Sequence, residues 1–501
     1  MKRILLLSAL ALALAACQKA PNNPVLTIEG GQIQGVCLED APGVTVYRGI
    51  PYAAPPIGEN RWKAPQPVEP WEGVRLCDKF GHPPFQAAHY PGGYTTEWGY
   101  GDEAPYSEDC LYLNVWTKAP GQPEKKLPVA VWIFGGGLRE GWSSEPEFDG
   151  KNFAGKDVVL VSFNYRVGPF GFFAHPELSA EDPEHATGNW GTLDQIEVLK
   201  WVRRNIAQFG GDPDNVMLFG QSAGSRSVKF LSASPLTKGL YNKAVIMSGS
   251  GLVDPRKPAQ PMVPGGPVLP AQQQATLADA EASIKEVTDW AGLTDLKKMR
   301  AASTETIFAM GGLFTSVTGK RSVLSAMPIS PYIDGYVLPE TFDEACIDGS
   351  LAQIPYMIGF TLNDSGNMAD QIREFCLNRQ EMGGKAYAYQ FARPLPTDGR
   401  PGVLQGAFHS SDLWYVFKSM EHCWRPWTQG DWDLAEKELT CWTNFAKYGD
   451  PNGPDGGEWT PYTAEKPEFM VFKLDEADAE ASAMGEPLRA PAPRMMRPSN
   501  P

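Results

Sequence analysis

The sequence predicts an α/β fold with a large, mostly parallel central sheet and helices on both faces. Two apolar and β-branched runs, "LPVAVWIFGG" and "DVVLVSFNYR", end in Gly or Asn as buried strands do. The segment "WGTLDQIEVLKWVRRNIAQFGG" places apolar residues at helical spacing and stops at two glycines. Strands that alternate with helices in this way favour a parallel sheet.

Two more predicted strands, "NVMLFG" and "KAVIMSGSG", follow that helix, and Ser222 stands just past the end of the first. Functional sites in such sheets form at the carboxyl ends of the strands, which makes Ser222 a candidate site residue. Residues 253–274 are rich in Pro and Gly and indicate an irregular excursion, whereas residues 275–326 indicate helices.

The N-terminus has the layout of a secretory signal. A basic start at Lys2 and Arg3 precedes an apolar run over residues 4–16 that is too short to span a membrane. The sequence "LAAC" at residues 14–17 resembles a bacterial lipobox, which implies a signal peptide over residues 1–16 and a lipid on Cys17. Gln18 then implies the outer membrane, with the protein facing the periplasm. The alternative is an ordinary signal peptide that contains a cysteine.

Composition excludes several classes of partner. The chain has 501 residues and a net charge of -15, with no basic run, so nucleic-acid binding is not expected. No later apolar run reaches the length of a membrane span, so membrane contact is expected through the lipid anchor only. Residues 17–24 are expected to be a tether, and residues 478–501, which have little hydrophobic pattern, a disordered tail.

The pattern Gly-x-Ser-x-Gly around Ser222 fits a catalytic serine on a sharp turn between a strand and a helix. The same residues also suit a tight turn with no chemistry. Three glycines, Gly135, Gly136 and Gly137, directly follow a predicted strand and could bring backbone N–H groups to an oxyanion. The alternative for that segment is a flexible loop at the end of a strand.

The chain resembles the type-B carboxylesterases, the cholinesterase-like branch of the α/β-hydrolase fold. The resemblance assigns a hydrolase domain to residues 25–477. It is carried by these segments: "VYRGIPYAAPPIGENRW" (46–62), "SEDCLYLNVW" (107–116), "VWIFGGG" (131–137), "NYRVGPFGFF" (164–173), "GNWGTLDQIEVLKWVRRNIAQFGGDPDNVMLFGQSAG" (188–224) and "NFAKYGDPNG" (444–453).

The resemblance implies a role for each candidate catalytic residue. Ser222 is the nucleophile, and His409 in "GAFHSSDLWYVF" is the general base. For the acidic member we favour Asp364, although a different alignment of "YMIGFTLNDSGNM" places Ser365 there and Asp412 lies close to the histidine. The implied oxyanion hole consists of the N–H groups of Gly136, Gly137 and Ala223.

Departures from the family pattern suggest how this chain differs. Gln221 stands where Glu is common, which makes cationic substrates such as choline esters less expected. Only 45 residues separate Asp364 from His409, which predicts a reduced helical cap and an open gorge that tolerates bulky esters. The resemblance also implies a disulfide between Cys77 and Cys110, with two buried free thiols as the alternative. Cys423 and Cys441 are a further candidate pair.

The sequence therefore predicts an exported, lipid-anchored serine carboxylester hydrolase that acts on small-molecule esters. Neither H-E-x-x-H nor paired C-x-x-C motifs occur, so no metal and no cofactor are expected. Two alternatives stay open: a non-catalytic cholinesterase-like binding protein, and a serine hydrolase of lactones, carbamates or amides. The acyl and alcohol specificity and the oligomeric state do not follow from the sequence.

Overall fold

The structure, a computed structural model, describes residues 23–89, 91–100, 105–184, 187–257, 276–310, 330–364 and 366–490. The predicted signal peptide, the lipidation site Cys17 and residues 17–22 of the tether lie outside the described residues. So do residues 491–501 of the predicted tail and most of the excursion predicted at residues 253–274.

An eleven-stranded sheet forms the centre of the molecule, in the order β14-β13-β12-β11-β10-β9-β7-β8-β6-β4-β3. A separate sheet has the order β1-β2-β5. The strands are β1 (Leu26–Ile28), β2 (Gly31–Gln34), β3 (Val36–Cys37), β4 (Thr45–Pro51), β5 (Val74–Leu76), β6 (Tyr112–Thr117), β7 (Leu127–Ile133), β8 (Val159–Phe163), β9 (Gly211–Gln221), β10 (Lys243–Met247), β11 (Tyr356–Thr361), β12 (Ala386–Phe391), β13 (Phe469–Phe472) and β14 (Ala483–Gly485).

The large sheet is mostly parallel, as predicted. From β8 to β13 in sheet order, each strand runs parallel to its neighbour. Antiparallel strands complete the two edges, with β6, β4 and β3 on one side and β14 on the other. The predicted strands at β7 and β8 are buried because helices cover both faces of the sheet, as parallel sheets require.

The helix predicted from "WGTLDQIEVLKWVRRN" is α5, and Gly210 ends the following turn in the left-handed conformation (φ 76°). No helix in the described part of the chain is long and apolar enough to cross a bilayer. The helices are α1 (Gly93–Trp98), α2 (Lys151–Gly155), α3 (Gly168–Gly171), α4 (Pro176–Glu181), α5 (Trp190–Asn205), α6 (Ala223–Ala233), α7 (Leu277–Trp290), α8 (Leu296–Ala301), α9 (304–310), α10 (Phe342–Asp348), α11 (Met368–Glu381), α12 (Leu413–Val416) and α13 (Gln429–Tyr448).

The C-terminal segment differs from the predicted disordered tail over residues 478–490. Strand β14 pairs antiparallel with β13, and Leu488 exchanges two hydrogen bonds with the Gln390 side chain, at 2.7 and 2.9 Å. The segment is ordered because the edge strand β13 offers backbone donors and acceptors. A hydrophobic pattern within the segment is not needed for that pairing.

The disulfide predicted between Cys77 and Cys110 is not present in the structure, and the alternative of two buried free thiols is the correct one. Burial raises the pKa of the Cys77 thiol to about 12, and burial raises that of Cys110 well above its usual value. Cys77 follows β5 and Cys110 precedes β6, and these two strands belong to different sheets. Sequence spacing does not determine the Cβ geometry that a disulfide needs. Cys423 and Cys441 are free thiols as well.

Candidate active site

Ser222 lies on a sharp turn between β9 and α6. Its backbone has φ 56° and ψ -120°, a conformation that non-glycine residues seldom adopt. The Ser222 N–H donates to the carbonyl of Met247 at 2.9 Å, which ties the turn to β10. Such a turn lifts the serine hydroxyl out of the backbone and toward the space above the sheet.

Two glycines make this turn sterically possible. A Cβ atom on Gly224 would come within 2.0 Å of the carbonyl oxygen of Ile133, at the end of β7. A Cβ atom on Gly220 would come within 2.6 Å of the carbonyl carbon of Gly224. The Gly-x-Ser-x-Gly pattern therefore reflects close packing of backbone against backbone.

His409 joins the serine to an acidic side chain. Its Nε2 lies 2.8 Å from Ser222 Oγ, and its Nδ1 lies 2.5 Å from Asp364 Oδ1. The carboxylate can only accept a hydrogen bond, so Nδ1–H donates to Asp364 and Nε2 accepts from the serine hydroxyl. This is the arrangement that lets an imidazole remove the serine proton.

Asp364 is held in place by a second set of donors. Its Oδ2 accepts from Ser248 Oγ at 2.7 Å and from the Thr361 N–H at 2.8 Å, and its side chain is 1% exposed. Burial alone would raise the pKa of Asp364, but these hydrogen bonds and His409 lower it below its usual value. Burial opposes the charge on His409, yet Asp364 raises the pKa of the imidazole overall.

Asp412, the alternative acid, occupies a different position. It is fully buried at the start of α12, and neither carboxyl oxygen has a hydrogen-bond partner among the described residues. Burial raises the pKa of Asp412 to about 7, and the charge of Asp364 adds to that shift. Asp364, not Asp412, is the carboxyl group that contacts His409. Ser365, the other alternative, is not among the described residues.

The predicted oxyanion residues lie beside the serine. A Cβ atom on Gly135 would come within 3.1 Å of Ser222 Cβ, so the loop after β7 presses against the turn. Gly136 and Gly137 have positive φ values of 86° and 65°, which suit glycine and let the loop fold tightly. Ala223 is the first residue of α6, so its N–H belongs to the donor end of the helix.

A cavity of about 750 Å³ lies at the serine. Gly136, Gly137, Ser222 and His409 line it, together with aromatic side chains of the segment around α1. The His409 side chain is 33% exposed, which suits the predicted open gorge. The breadth of substrates that this opening admits stays a prediction.

Several residues of the site were not expected from the sequence. Ser248 supports Asp364, and Tyr94 donates from its hydroxyl to the His409 carbonyl at 2.9 Å. Glu145 and Glu147 also line the cavity. Ser248 follows the predicted strand β10, and this position at the carboxyl edge of the sheet was the available signal. Tyr94 and the two acids come from loops whose paths the sequence does not reveal.

One cluster of acidic and histidine side chains, away from the serine, has its ligand atoms spaced as in a metal site. Asp149, Glu421 and His422 place ligand atoms within 4.8 Å of one another. The Lys151 ammonium lies 2.8 Å from Glu421 and 3.4 Å from Asp149, so both carboxylates of the group already contact a cation. The cluster therefore works as an ion-pair network.

Comparison with known proteins identifies the family. The model described as "Carboxylesterase family" matches residues 22–375 and 367–490. Fumonisin B1 esterase of Sphingopyxis macrogoltabida is 35% identical over 81% of this chain and 70% of its own length. Para-nitrobenzyl esterase of Bacillus subtilis is 34% identical over 93% of this chain and 97% of its own length.

Solved structures give the same result. A para-nitrobenzyl esterase structure superposes with a TM-score of 0.71 at 28% identity, over 92% of this chain and 97% of that one. A Geobacillus stearothermophilus carboxylesterase at pH 6.8 superposes with a TM-score of 0.69 at 28% identity, with the same coverage of each chain. The chain therefore belongs to the type-B carboxylesterase family of the α/β-hydrolase fold and is a carboxylic ester hydrolase.

Proposed function

We propose that this hydrolase acts through an acyl-enzyme on Ser222, with His409 as general base and Asp364 as the acidic third member. The observation that carries the proposal is the unbroken contact from Ser222 Oγ through the imidazole to Asp364, at 2.8 and 2.5 Å. A serine hydroxyl needs such a base because it is a weak nucleophile near neutral pH.

The reaction has two halves. His409 takes the Ser222 proton as Oγ attacks the ester carbonyl, and it then protonates the leaving alcohol. Water repeats the sequence on the acyl-enzyme and releases the acid. Asp364 keeps the Nδ1–H tautomer and stabilises the imidazolium that forms in each half.

The oxyanion of each tetrahedral intermediate would be bound by the N–H groups of Gly136, Gly137 and Ala223. Fixed backbone donors stabilise this charge without reorganising, and one donor is worth roughly 2.7–4 kcal/mol of the barrier. The support here is that the loop after β7 packs against Ser222 and lines the same cavity.

A covalent label tests the mechanism. A fluorophosphonate probe should label the wild-type protein, and Ser222→Ala should abolish both labelling and hydrolysis of para-nitrophenyl butyrate. The exposed Ser350 provides a matched control, because Ser350→Ala should label as the wild type does. A folded wild-type protein that takes no label would favour the non-catalytic binding protein. Comparison of ester, lactone, carbamate and amide substrates separates the remaining alternative.

The location of the enzyme is a separate proposal that rests on residues 1–18. A lipid on Cys17 would anchor the hydrolase to the bacterial outer membrane, facing the periplasm, with membrane contact through the anchor alone. In cells grown with labelled palmitate, the wild-type protein should carry label and fractionate with membranes, and Cys17→Ser should do neither. An ordinary signal peptide would instead yield an unlabelled, soluble protein in both cases.

A further inference from the structure

The cavity has an acidic wall, formed by Glu145 and Glu147, that the proposed ester chemistry does not use. Glu145 is 6% exposed and Glu147 is 1% exposed, and both line the cavity that holds Ser222. None of the ion pairs found among the described residues involves either glutamate. Two carboxyl groups are therefore buried together, and neither forms one of the ion pairs seen among the described residues.

The hydrogen bonds around this wall are incomplete. Glu145 accepts from the Tyr100 hydroxyl and from the Trp142 N–H, the latter at 2.8 Å. Glu147 Oε2 is buried and accepts no hydrogen bond from an N–H or hydroxyl donor of the described residues, and the Glu147 side chain is hydrogen-bonded to that of Glu145. Two buried carboxyl groups that bond to each other need a proton between them, and no other donor of the described residues reaches Glu147. A donor supplied by a ligand would take the place of that proton.

Aromatic rings flank the two acids. The ring of Tyr100 lies 4.5 Å from that of His89 and 4.5 Å from that of Trp142, measured between centroids. Glu140 also lines the cavity, 3.9 Å from the Nε2 of His89. Carboxylates beside aromatic faces provide the combination of charge and ring quadrupole that attracts an organic cation.

We propose that the Glu145–Glu147 wall binds the primary ammonium group of an amino-substituted ester, an inference that rests on the proposed function of Ser222. A primary ammonium carries three N–H donors, which can serve both carboxyl groups in place of the proton that they share. A quaternary ammonium has no N–H and cannot replace that proton. The absence of Glu at position 221 is compatible with this assignment, because the acidic wall belongs to a different loop.

Protonation of the wall links binding to pH. Burial raises the pKa of Glu145 to about 7, and burial together with the charge of Glu145 raises the pKa of Glu147 well above its usual value. The groups that face the pair are Tyr100, Tyr165, Glu140, Cys423 and Glu97, and Glu97 is already paired with Arg425. Arg139 lines the cavity as well. The free pair therefore holds a proton near neutral pH, and the ammonium must displace it.

The kinetic test compares substrates of equal chain length that differ only in the group at the end of the chain. Para-nitrophenyl aminohexanoate is matched with para-nitrophenyl heptanoate, which has a methyl group in place of the ammonium, and with the trimethylammonio analogue. Aminopentyl acetate and hexyl acetate form the corresponding alcohol-side pair. We expect the primary amine to be preferred by roughly tenfold to a hundredfold in kcat/KM in one of the two series, as a charged hydrogen bond allows. That ratio should rise as the pH increases through about 7.

Substitutions of the two glutamates test whether they cause the preference for the primary amine. Glu147→Gln and Glu145→Gln should each remove most of the preference while the neutral ester is still hydrolysed. Glu124→Gln removes a charge from an exposed turn and should retain the preference. A wild-type enzyme without preference in either series would overturn the proposal, as would a preference that both cavity variants keep. Equal preference for the trimethylammonio ester would also overturn it.

Direct binding separates this inference from the ester chemistry. In calorimetry, Ser222→Ala should bind hexylammonium with release of protons and bind hexanol much more weakly. If this holds while the wild type fails to hydrolyse any ester, the proposed function falls and the ammonium site stands. If esters are hydrolysed through Ser222 but hexylammonium does not bind, the ammonium site alone is wrong.

Discussion

At the scale of single residues, two carboxyl groups near His409 have opposite environments. Asp364 accepts three hydrogen bonds, and these together with the charge of His409 lower its pKa, whereas Asp412 has no partner among the described residues and burial raises its pKa to about 7. Perturbed groups of this kind cluster at active sites. Their different hydrogen bonding gives the two residues different roles, which substitution can separate.

Asp364→Asn should lower kcat by about 10⁴ with a small change in folding stability, because an amide donor facing Nδ1 favours the wrong imidazole tautomer. Steady-state hydrolysis of para-nitrophenyl butyrate measures the loss, and circular dichroism checks the fold. A loss of less than tenfold would contradict the assignment of Asp364 as the acid.

Asp412→Asn should move the pH profile instead. The charge of Asp412 contributes to raising the pKa of His409, so its removal lowers that pKa. Because the base must be neutral to act, the acidic limb of kcat/KM should shift to lower pH. An unchanged limb would show that Asp412 stays protonated over the working range. A fall in kcat comparable to that of Asp364→Asn would contradict its separate role.

At the scale of elements, the turn between β9 and α6 depends on contact with β7. Gly224 leaves no room for a Cβ atom beside the Ile133 carbonyl, so the strand, the turn and the helix are positioned together. This contact also keeps the glycine loop after β7 next to Ser222. Packing of backbone against backbone thereby builds both the nucleophile and its surroundings.

Gly224→Ala should destabilise the fold by about 2–4 kcal/mol and reduce activity, because an overpacked site has no flexible neighbour that can yield. Gly155→Ala is the matched control, since Gly155 ends α2 with nothing near the added methyl group, and it should be neutral or slightly stabilising. Urea unfolding measures both variants. Equal midpoints for the two would contradict the steric explanation.

At the scale of the whole molecule, the described cap leaves the site open. Four described helices, α7, α8, α9 and α10, lie between β10 and β11, and part of the same region lies outside the described residues. The His409 side chain is one third exposed, and the cavity has a volume of about 750 Å³. Both properties suit acyl groups larger than acetate. Substrate size is therefore the property on which the open gorge can be tested.

Activity on a series of para-nitrophenyl esters should stay within about tenfold in kcat/KM from acetate to octanoate, because added methylenes can occupy the cavity without a clash. Branched acyl groups should also be accepted. A steep fall beyond butyrate would indicate a narrow gorge and contradict the expectation drawn from the short interval between Asp364 and His409.

Local sequence patterns were sufficient to predict much of the fold. Buried strands such as β7 and β8 and the helix α5 follow from the spacing of apolar residues, since that spacing reflects burial directly. Local patterns did not predict that residues 478–490 are ordered or that Cys77 and Cys110 are free thiols. Each depends on a partner far away in the sequence, namely the free edge of β13 and the relative position of two sheets.

The sequence by itself determined the class of sheet, the sharp turn at Ser222 and the glycine loop, because steric requirements of the local backbone dictate those residue types. Only the tertiary structure decided which carboxyl group contacts His409 and that Ser248 donates to Asp364. It also decided that Glu145 and Glu147 line the cavity. These outcomes depend on distances of a few ångströms between separate loops. Packing of the whole chain sets such distances, and no local pattern encodes them.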